Sequence, residues 1–198
     1  MRRIVVSEFV TLDGVMEDPG GGESSSRGGW AFRFERGPEG DQYKVDELLA
    51  ADALLLGRTT FEGFAAAWPG QSGDFADKMN GMQKIVVSTT MGDPTWSPTT
   101  VIRGDVAREL GAIKEGPGAD MLVAGSGQLV RQLLADGLVD ELRLMVFPVV
   151  LGGGKRLFAD GVPTTSLQLT EAKPVGAAGV VVLAYTASGS SPNGSASS

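Results

Sequence analysis

Short apolar runs alternate with helix-patterned segments along most of this chain, and this alternation limits the folds open to it. Residues 53–56 form an uninterrupted apolar run that ends at Gly57, and residues 120–124 form a second, mostly apolar segment that opens on Asp120. Runs of this kind are typical of strands that are buried on both faces of a sheet. Strands that alternate with helices predict an α/β fold with a mostly parallel central sheet flanked by helices.

The periodicity of apolar residues predicts the other elements of this sheet and its helices. Thr59 and Glu62 have the spacing of a capping box at the start of a helix. Further strands are predicted at residues 3–10, 84–88 and 99–102, and helices at residues 41–51, 59–67, 105–114 and 128–135.

The C-terminal third follows a different pattern. Residues 139–151 predict a long strand, and the three glycines at residues 152–154 predict a turn after it. Residues 167–173 and 180–186 are β-patterned, and the short glycine-containing segment between them leaves no room for a crossover helix. These last strands are therefore expected to pair as an antiparallel C-terminal hairpin.

Length and composition favour one domain followed by a tail. A chain of 198 residues suits a single domain of ordinary size, which we place at residues 1–187. Residues 188–198 are of low complexity and rich in serine, which predicts a disordered tail. Residues 18–40 are polar and glycine-rich, and a segment of this length predicts either a disordered loop or an active-site lid.

The chain contains no cysteine and no histidine. Their absence excludes disulfides, thiol nucleophiles, histidine-dependent triads and metal sites built on these residues, and no metal site is predicted. The net charge of −7 argues against nucleic acid as a partner. No segment is long and apolar enough to span a membrane, and the N-terminus lacks the features of a signal peptide. We therefore expect a cytoplasmic protein.

Three predicted junctions at the ends of strands carry groups that bind anions. Helix N-termini offer unpaired amides, hydroxyl groups add donors, and glycine lets a phosphate approach the backbone. Each junction also has a structural interpretation: a capped helix with a solvated arginine, a tight turn at a helix start, and an ordinary loop. In that order, the junctions contain Arg58, Thr59 and Thr60; Gly125, Ser126, Gly127, Gln128 and Leu129; and Ser88 and Thr89.

These junctions belong to a longer set of segments. The set consists of Ser7, Leu12-Asp13-Gly14, and residues 51–62, 84–88, 124–129 and 147–158. Its order and spacing resemble the dihydrofolate-reductase-like family, over nearly the whole chain apart from the tail. Within that family, the chain is similar to the branch related to the reductase domain of the bacterial riboflavin-biosynthesis deaminase-reductase.

The resemblance implies an NADPH-binding reductase fold, in which the cofactor carries the hydride chemistry and the protein orients it. It implies a mobile loop beside the nicotinamide and the substrate that begins at Asp13, Gly14 and Val15. The implied cofactor contacts are the phosphates at Arg58, Thr59 and Thr60, the 2′-phosphoribose end at Ser88 and Thr89, and the pyrophosphate at Gly125, Ser126, Gly127, Gln128 and Leu129.

Three candidate residues near the substrate keep two interpretations each. With no histidine or cysteine, the proton that accompanies the hydride comes from a carboxylic acid or from water. Asp13, which directly follows the first strand, is either that carboxylic acid or an aspartate that shapes the Asp-Gly turn. Trp30 either lies over a planar substrate or anchors its loop. Asp41 has about the spacing of the carboxylate that binds the pterin ring in dihydrofolate reductases, but it could also be a helix N-cap.

The leading functional prediction is an NADPH-dependent reductase of a small planar heterocycle, similar to 5-amino-6-(5-phosphoribosylamino)uracil reductase or dihydrofolate reductase. One alternative is a reductase of another carbonyl or quinone substrate. The other is a non-catalytic NADPH-binding or assembly protein. We also expect a homodimer, because the apolar strand at residues 142–151 offers more surface than a terminal hairpin is expected to cover.

Overall fold

One eight-stranded sheet runs through the residues that the computed structural model describes, namely 1–23, 25–158, 160 and 164–187. Its strands are β1 (Ile4–Thr11), β2 (Ala51–Gly57), β3 (Gln83–Val87), β4 (Thr99–Ile102), β5 (Asp120–Ala124), β6 (Glu141–Phe147), β7 (Leu167–Val175) and β8 (Val180–Ala187). Their order across the sheet is β4-β3-β2-β5-β1-β6-β8-β7. Strands β1 to β6 are parallel, whereas β8 pairs antiparallel with β6 and β7. The predicted α/β fold and C-terminal hairpin are confirmed.

Helices cover both faces of the parallel part of this sheet. Leu48, Phe61 and Met79 of α1, α2 and α3 join one core cluster, and Leu110 and Val130 of α4 and α5 join the cluster on the opposite face. No helix in the described ranges is long and apolar enough to cross a lipid bilayer. The α-helices of the described residues are α1 (Gly37–Ala50), α2 (Arg58–Ala67), α3 (Asp74–Gly81), α4 (Val106–Glu115) and α5 (Gly127–Ala135), and a 3-10 helix spans Ala31–Arg33.

Three elements differ from their predictions for physical reasons. Helix α1 begins at Gly37, four residues before the predicted start at 41, because Pro38 suits the first turn of a helix. Helix α3 was not predicted, since it buries only Ala76 and Met79 and so shows little apolar periodicity. The predicted long strand at 139–151 ends at Phe147, directly before a proline that cannot donate to the ladder. The predicted tail at 188–198 lies outside the described residues.

Strand β6 is covered within a single copy of the chain. It pairs with β1 on one side and with β8 on the other. Leu142, Met145 and Phe147 are buried, the last two in a core cluster with Trp30. The C-terminal hairpin therefore covers one edge of this strand from Glu141 to Val146, whereas Val150, in the segment beyond it, is 67% exposed. The homodimer itself stays a prediction.

Candidate functional site

At the carboxyl end of β5, the chain segments that follow neighbouring strands lead to helices on opposite faces of the sheet. Strands β1 and β2 flank β5 and lead into α1 and α2 on one face. Strand β5 itself leads into α5 on the other face. Ligands of open parallel sheets bind in the crevice that such a divergence leaves at the carboxyl ends of the strands. We call this place the β5 crevice, bounded by the ends of β1, β2 and β5.

The first two predicted junctions meet at this crevice. The Gly57 amide donates a hydrogen bond of 2.8 Å to Ser126 Oγ, which ties the β2–α2 junction to the β5–α5 junction. Gly125 has a φ of +72°, and a Cβ at this position would lie 3.0 Å from Thr60 Cγ2. A side chain at Gly125 would therefore strain the backbone and displace Thr60.

The third junction lies beside the first. Gly57 is paired with Val87 in the register of β2 and β3, so Ser88 follows at the same edge of the sheet as Arg58. Ser88 Oγ accepts hydrogen bonds from the amides of Thr90 and Met91 and so shapes the loop after β3. Thr89 is exposed. The structure thus brings the three predicted junctions to one edge of the sheet.

Both helix starts at the β5 crevice present free donors. Within the described ranges, neither α2 nor α5 has a side-chain cap, whereas Asp105 caps α4 by accepting from the Arg108 amide. The capping box predicted for Thr59 and Glu62 is therefore wrong, because α2 already begins at Arg58. Uncapped first-turn amides and the helix dipole favour a bound anion.

Individual side chains at these junctions differ in what they can offer a ligand. Arg58 is 48% exposed, and its Nε lies 3.9 Å from Glu62 Oε1, so the guanidinium is only loosely paired. Gln128 is exposed. The Leu129 side chain is buried in the core, so this residue can contribute only its backbone amide at the start of α5.

Asp13 binds backbone amides from a distant part of the chain. Its carboxylate accepts hydrogen bonds from the amides of Leu151 and Gly152 at 3.2 and 2.9 Å, and from Thr11 Oγ1 at 2.7 Å. The Thr11 hydroxyl, together with these amides, lowers the pKa of Asp13 to about 2. A carboxylate with this pKa is ionised at neutral pH, which disfavours Asp13 as proton donor and favours its role in the turn.

The loop that begins at Asp13 is fastened to the segment after β6. The Gly14 carbonyl accepts from the Leu157 amide, and Val15, which is buried, forms an isolated antiparallel bridge with Arg156. Glu17 pairs with Lys155 at 3.3 Å. We call these contacts of residues 13–17 with residues 151–157 the strap. The strap holds in place the loop that the family resemblance describes as mobile.

Replacing Asp13 with alanine should loosen the strap. Loss of the three hydrogen bonds is expected to lower the free energy of unfolding by about 1–3 kcal/mol at neutral pH. The pKa of Asp13 is lower in the folded chain than in the unfolded chain, so this stabilisation is present above about pH 4 and is lost as the pH falls towards 2. Urea denaturation of both proteins over this range measures the difference. Equal stability of the wild type and Asp13→Ala at neutral pH would show that these hydrogen bonds do not stabilise the fold.

The structure separates the two interpretations of Trp30 and of Asp41. Trp30 is fully buried, its Nε1 donates to the Glu17 carbonyl at 2.8 Å, and its ring meets Phe147 edge-on. It has no exposed face for a substrate, which favours the loop anchor, and its substrate contact stays a prediction. Asp41 lies inside α1, whose N-cap is Arg36, so it is not an N-cap. Its carboxylate is 65% exposed and pairs with Arg36, and its substrate contact stays a prediction.

The carboxylate that α1 does bury is Glu47, whereas the spacing along the sequence favours Asp41 on this helix. Glu47 accepts a hydrogen bond of 2.9 Å from Ser7 Oγ and pairs with Lys44 at 2.5 Å. Arg143 of β6 lies 3.6 Å from its second oxygen. These contacts form a charged network between α1 and the sheet.

Glu8 is a second buried carboxyl group, which the sequence analysis missed. It is 4% exposed and lies on the face of β1 that carries Val6 and Val10. Its Oε2 accepts a hydrogen bond of 3.1 Å from the Gly125 amide, so the carboxyl group reaches the β5 crevice. Burial raises the pKa of Glu8 to about 8, with the Gly125 hydrogen bond acting in the opposite direction. Glu8 is therefore mostly protonated at neutral pH.

Comparison with known proteins identifies the relatives of this chain. The RibD C-terminal domain matches residues 2–181. The uncharacterized protein YyaP of Bacillus subtilis strain 168 is 29% identical over 189 residues, which cover 93% of this chain and 94% of that protein.

Two solved structures show the same fold. A putative riboflavin biosynthesis protein from Shewanella sp. PV-4 has a TM-score of 0.74 at 19% identity and covers 93% of this chain and 98% of its own. Dihydrofolate reductase from Enterococcus faecalis, complexed with NADP(H) and RAB-propyl, has a TM-score of 0.60 at 14% identity, with coverages of 94% and 96%. The fold is thus that of dihydrofolate reductase, and the match over residues 2–181 shows that the chain belongs to the RibD C-terminal domain family.

Proposed function

We propose that this chain is an NADPH-dependent reductase of a small planar heterocycle. The observation that carries the proposal is the meeting of two uncapped helix starts at the β5 crevice, beside a loosely paired arginine and a buried carboxyl group. The two helix starts and the arginine suit an anionic cofactor, and the buried carboxyl group suits a reaction that transfers a proton. Membership of the RibD C-terminal domain family supports a reductase.

The residues at the crevice fit a phosphorylated dinucleotide. The first-turn amides of α2 and α5 would hold its phosphates, and Gly125 leaves room where a side chain would meet Thr60. Arg58 would pair with the 2′-phosphate that distinguishes NADPH from NADH. When bound, NADPH supplies a hydride, a chemistry that no side chain of this protein offers. The Enterococcus faecalis enzyme, which has the same fold, is solved with NADP(H), and this supports the assignment.

Loss of NADPH absorbance in the presence of candidate substrates tests the proposal. The purified protein is mixed with NADPH and, separately, with pterins, ribosylaminouracils and quinones. We expect consumption of NADPH with at least one heterocycle and slower consumption of NADH. Turnover with quinones alone would favour the alternative carbonyl or quinone reductase. NADPH binding without turnover across the whole panel would favour a non-catalytic binding protein.

A further inference from the structure

We propose that Glu8 is the acid that protonates the substrate during reduction, an inference that rests on the proposed reductase function. The geometry that carries it is the position of one buried carboxyl group at the β5 crevice. Ser7 is paired with Ala124 in the register of β1 and β5, so Glu8 lies level with Gly125 at the start of the β5–α5 junction. One oxygen of Glu8 is held there by the Gly125 amide.

The second oxygen of Glu8 is not satisfied by any of the described residues. In the part of the chain that the structure describes, Glu8 Oε1 is buried and has no hydrogen-bond partner. A buried carboxylate with one oxygen unsatisfied is costly, whereas a carboxylic acid with a hydroxyl hydrogen to donate needs only an acceptor. A nitrogen or oxygen atom of a substrate double bond in the crevice would supply that acceptor.

The surroundings of Glu8 favour its neutral form. The Gly125 amide faces it from β5, and the apolar Leu144 lies opposite it on β6. Two charged groups act on it from α1: Lys44 lowers its pKa and Glu47 raises it, and both are smaller influences than burial. Since Lys44 is itself paired with Glu47 at 2.5 Å, its charge is shared with that carboxylate.

The other acids described above are less suited to this role. Asp13 is ionised, with a pKa of about 2. Asp41 faces solvent and pairs with Arg36. Glu47 is engaged in an ion pair with Lys44 at 2.5 Å. Glu8 is the one of these four that is both buried and without a cationic partner in direct contact.

The proposed step is balanced in atoms and electrons. The carbon of a substrate C=N or C=O bond would receive a hydride, which bound NADPH would supply on oxidation to NADP⁺. The nitrogen or oxygen of the same bond receives the proton of the Glu8 carboxyl group, so the double bond becomes a single bond and Glu8 becomes a carboxylate. Water returns a proton to Glu8 before the next turnover.

Glu8→Gln tests this step, because the amide keeps the shape and a hydrogen-bond donor but has no acidic proton. We expect kcat to fall by about 100-fold or more, with the Kd for NADPH unchanged. The kcat of the wild type should fall as the pH rises above about 8, and the residual rate of the variant should lack this limb. If Glu8 only positioned a ligand through a hydrogen bond, Gln would preserve kcat and overturn the proposal.

Asp140→Asn is the matched control. Asp140 accepts from the Ile4 amide and pairs with Lys114, at the opposite end of β1 from the crevice. Loss of this paired carboxylate should lower the stability of the fold, but kcat should stay that of the wild type. Should Glu8→Gln fold poorly, Glu8→Asp provides the same test, because the pH of the falling limb must then follow the pKa of the new carboxyl group.

A second readout does not depend on activity. Carbon-labelled glutamate allows NMR titration of the Glu8 carboxyl group in the free protein, with the signal assigned by its absence from Glu8→Gln. We expect titration near pH 8, and titration near the ordinary value of about 4.3 would overturn the proposal. A wild type that reduces no substrate would remove the proposed function and this step together, whereas full activity in Glu8→Gln would remove this step alone.

Discussion

Arg58→Ala should weaken the binding of NADPH on the order of 10- to 100-fold and change the binding of NADH little. Loss of a charge-assisted hydrogen bond to a phosphate corresponds to about 1.5–3 kcal/mol, and each 1.4 kcal/mol is about tenfold in Kd. Arg58 is available for such a contact, since its nearest carboxylate partner, Glu62, lies 3.9 Å away. Only NADPH carries the 2′-phosphate, so only its affinity should respond.

Calorimetric titration with both cofactors measures this effect. Arg108→Ala is a suitable control, because Arg108 is also an exposed arginine in the first turn of a helix, but that helix is capped by Asp105. The control should bind both cofactors as the wild type does. Equal affinity of the wild type for NADPH and NADH would contradict the role of Arg58.

Trp30→Ala should lower the free energy of unfolding by about 3–5 kcal/mol, the usual range for removing a large buried aromatic side chain. The indole is fully buried against Phe147, and its Nε1 is hydrogen-bonded to the Glu17 carbonyl. The variant would leave a cavity and an unsatisfied carbonyl under the loop. Trp30→Phe should recover part of the loss by keeping a ring in the site.

Chemical denaturation measures these differences, with Phe32→Ala as the control. Phe32 follows in the same loop but is 75% exposed, so its replacement should change the free energy of unfolding by less than about 0.5 kcal/mol. If Trp30→Ala instead kept full stability and raised only the KM of the substrate, Trp30 would be a substrate residue after all.

The parts of the fold that sequence predicts well are those fixed by local pattern. The apolar runs of β2 and β5 have one interpretation because parallel strands are buried on both faces. The two glycines after β5 predict either a phosphate-binding loop or a tight turn at a helix start. Gly125 has a positive φ and approaches Thr60 closely, which fits a tight turn.

The parts of the site that sequence predicts poorly depend on contacts between distant segments. Asp-Gly indicates a turn, but nothing local shows that the Asp13 carboxylate accepts amides 138 and 139 residues further along the chain. Trp30 could be placed only once its partner Phe147 was known. The spacing of Asp41 was suggestive, yet its exposure follows from the orientation of α1, which sequence does not give.

Glu8 is the most instructive omission. The sequence predicts a strand at residues 3–10 but assigns no role to Glu8, whereas the structure buries the side chains of both Ser7 and Glu8 in β1. An acid inside a strand that is otherwise apolar was the available signal. Such an acid is buried only if the strand lies at the centre of the sheet. Strand β1 lies there, between β5 and β6.

Binding of NADPH at the β5 crevice is tested most directly by backbone amide chemical shifts in isotope-labelled protein. Titration with NADPH should change the shifts most at residues 57–60, 88–89 and 125–129, the junctions that the structure brings to one edge of the sheet. Changes concentrated instead beside Tyr43 and Arg143, where α1 and β6 border a separate cavity of about 280 Å³, would contradict this site. So would the absence of any change at about 1 mM NADPH, a concentration that detects even weak binding.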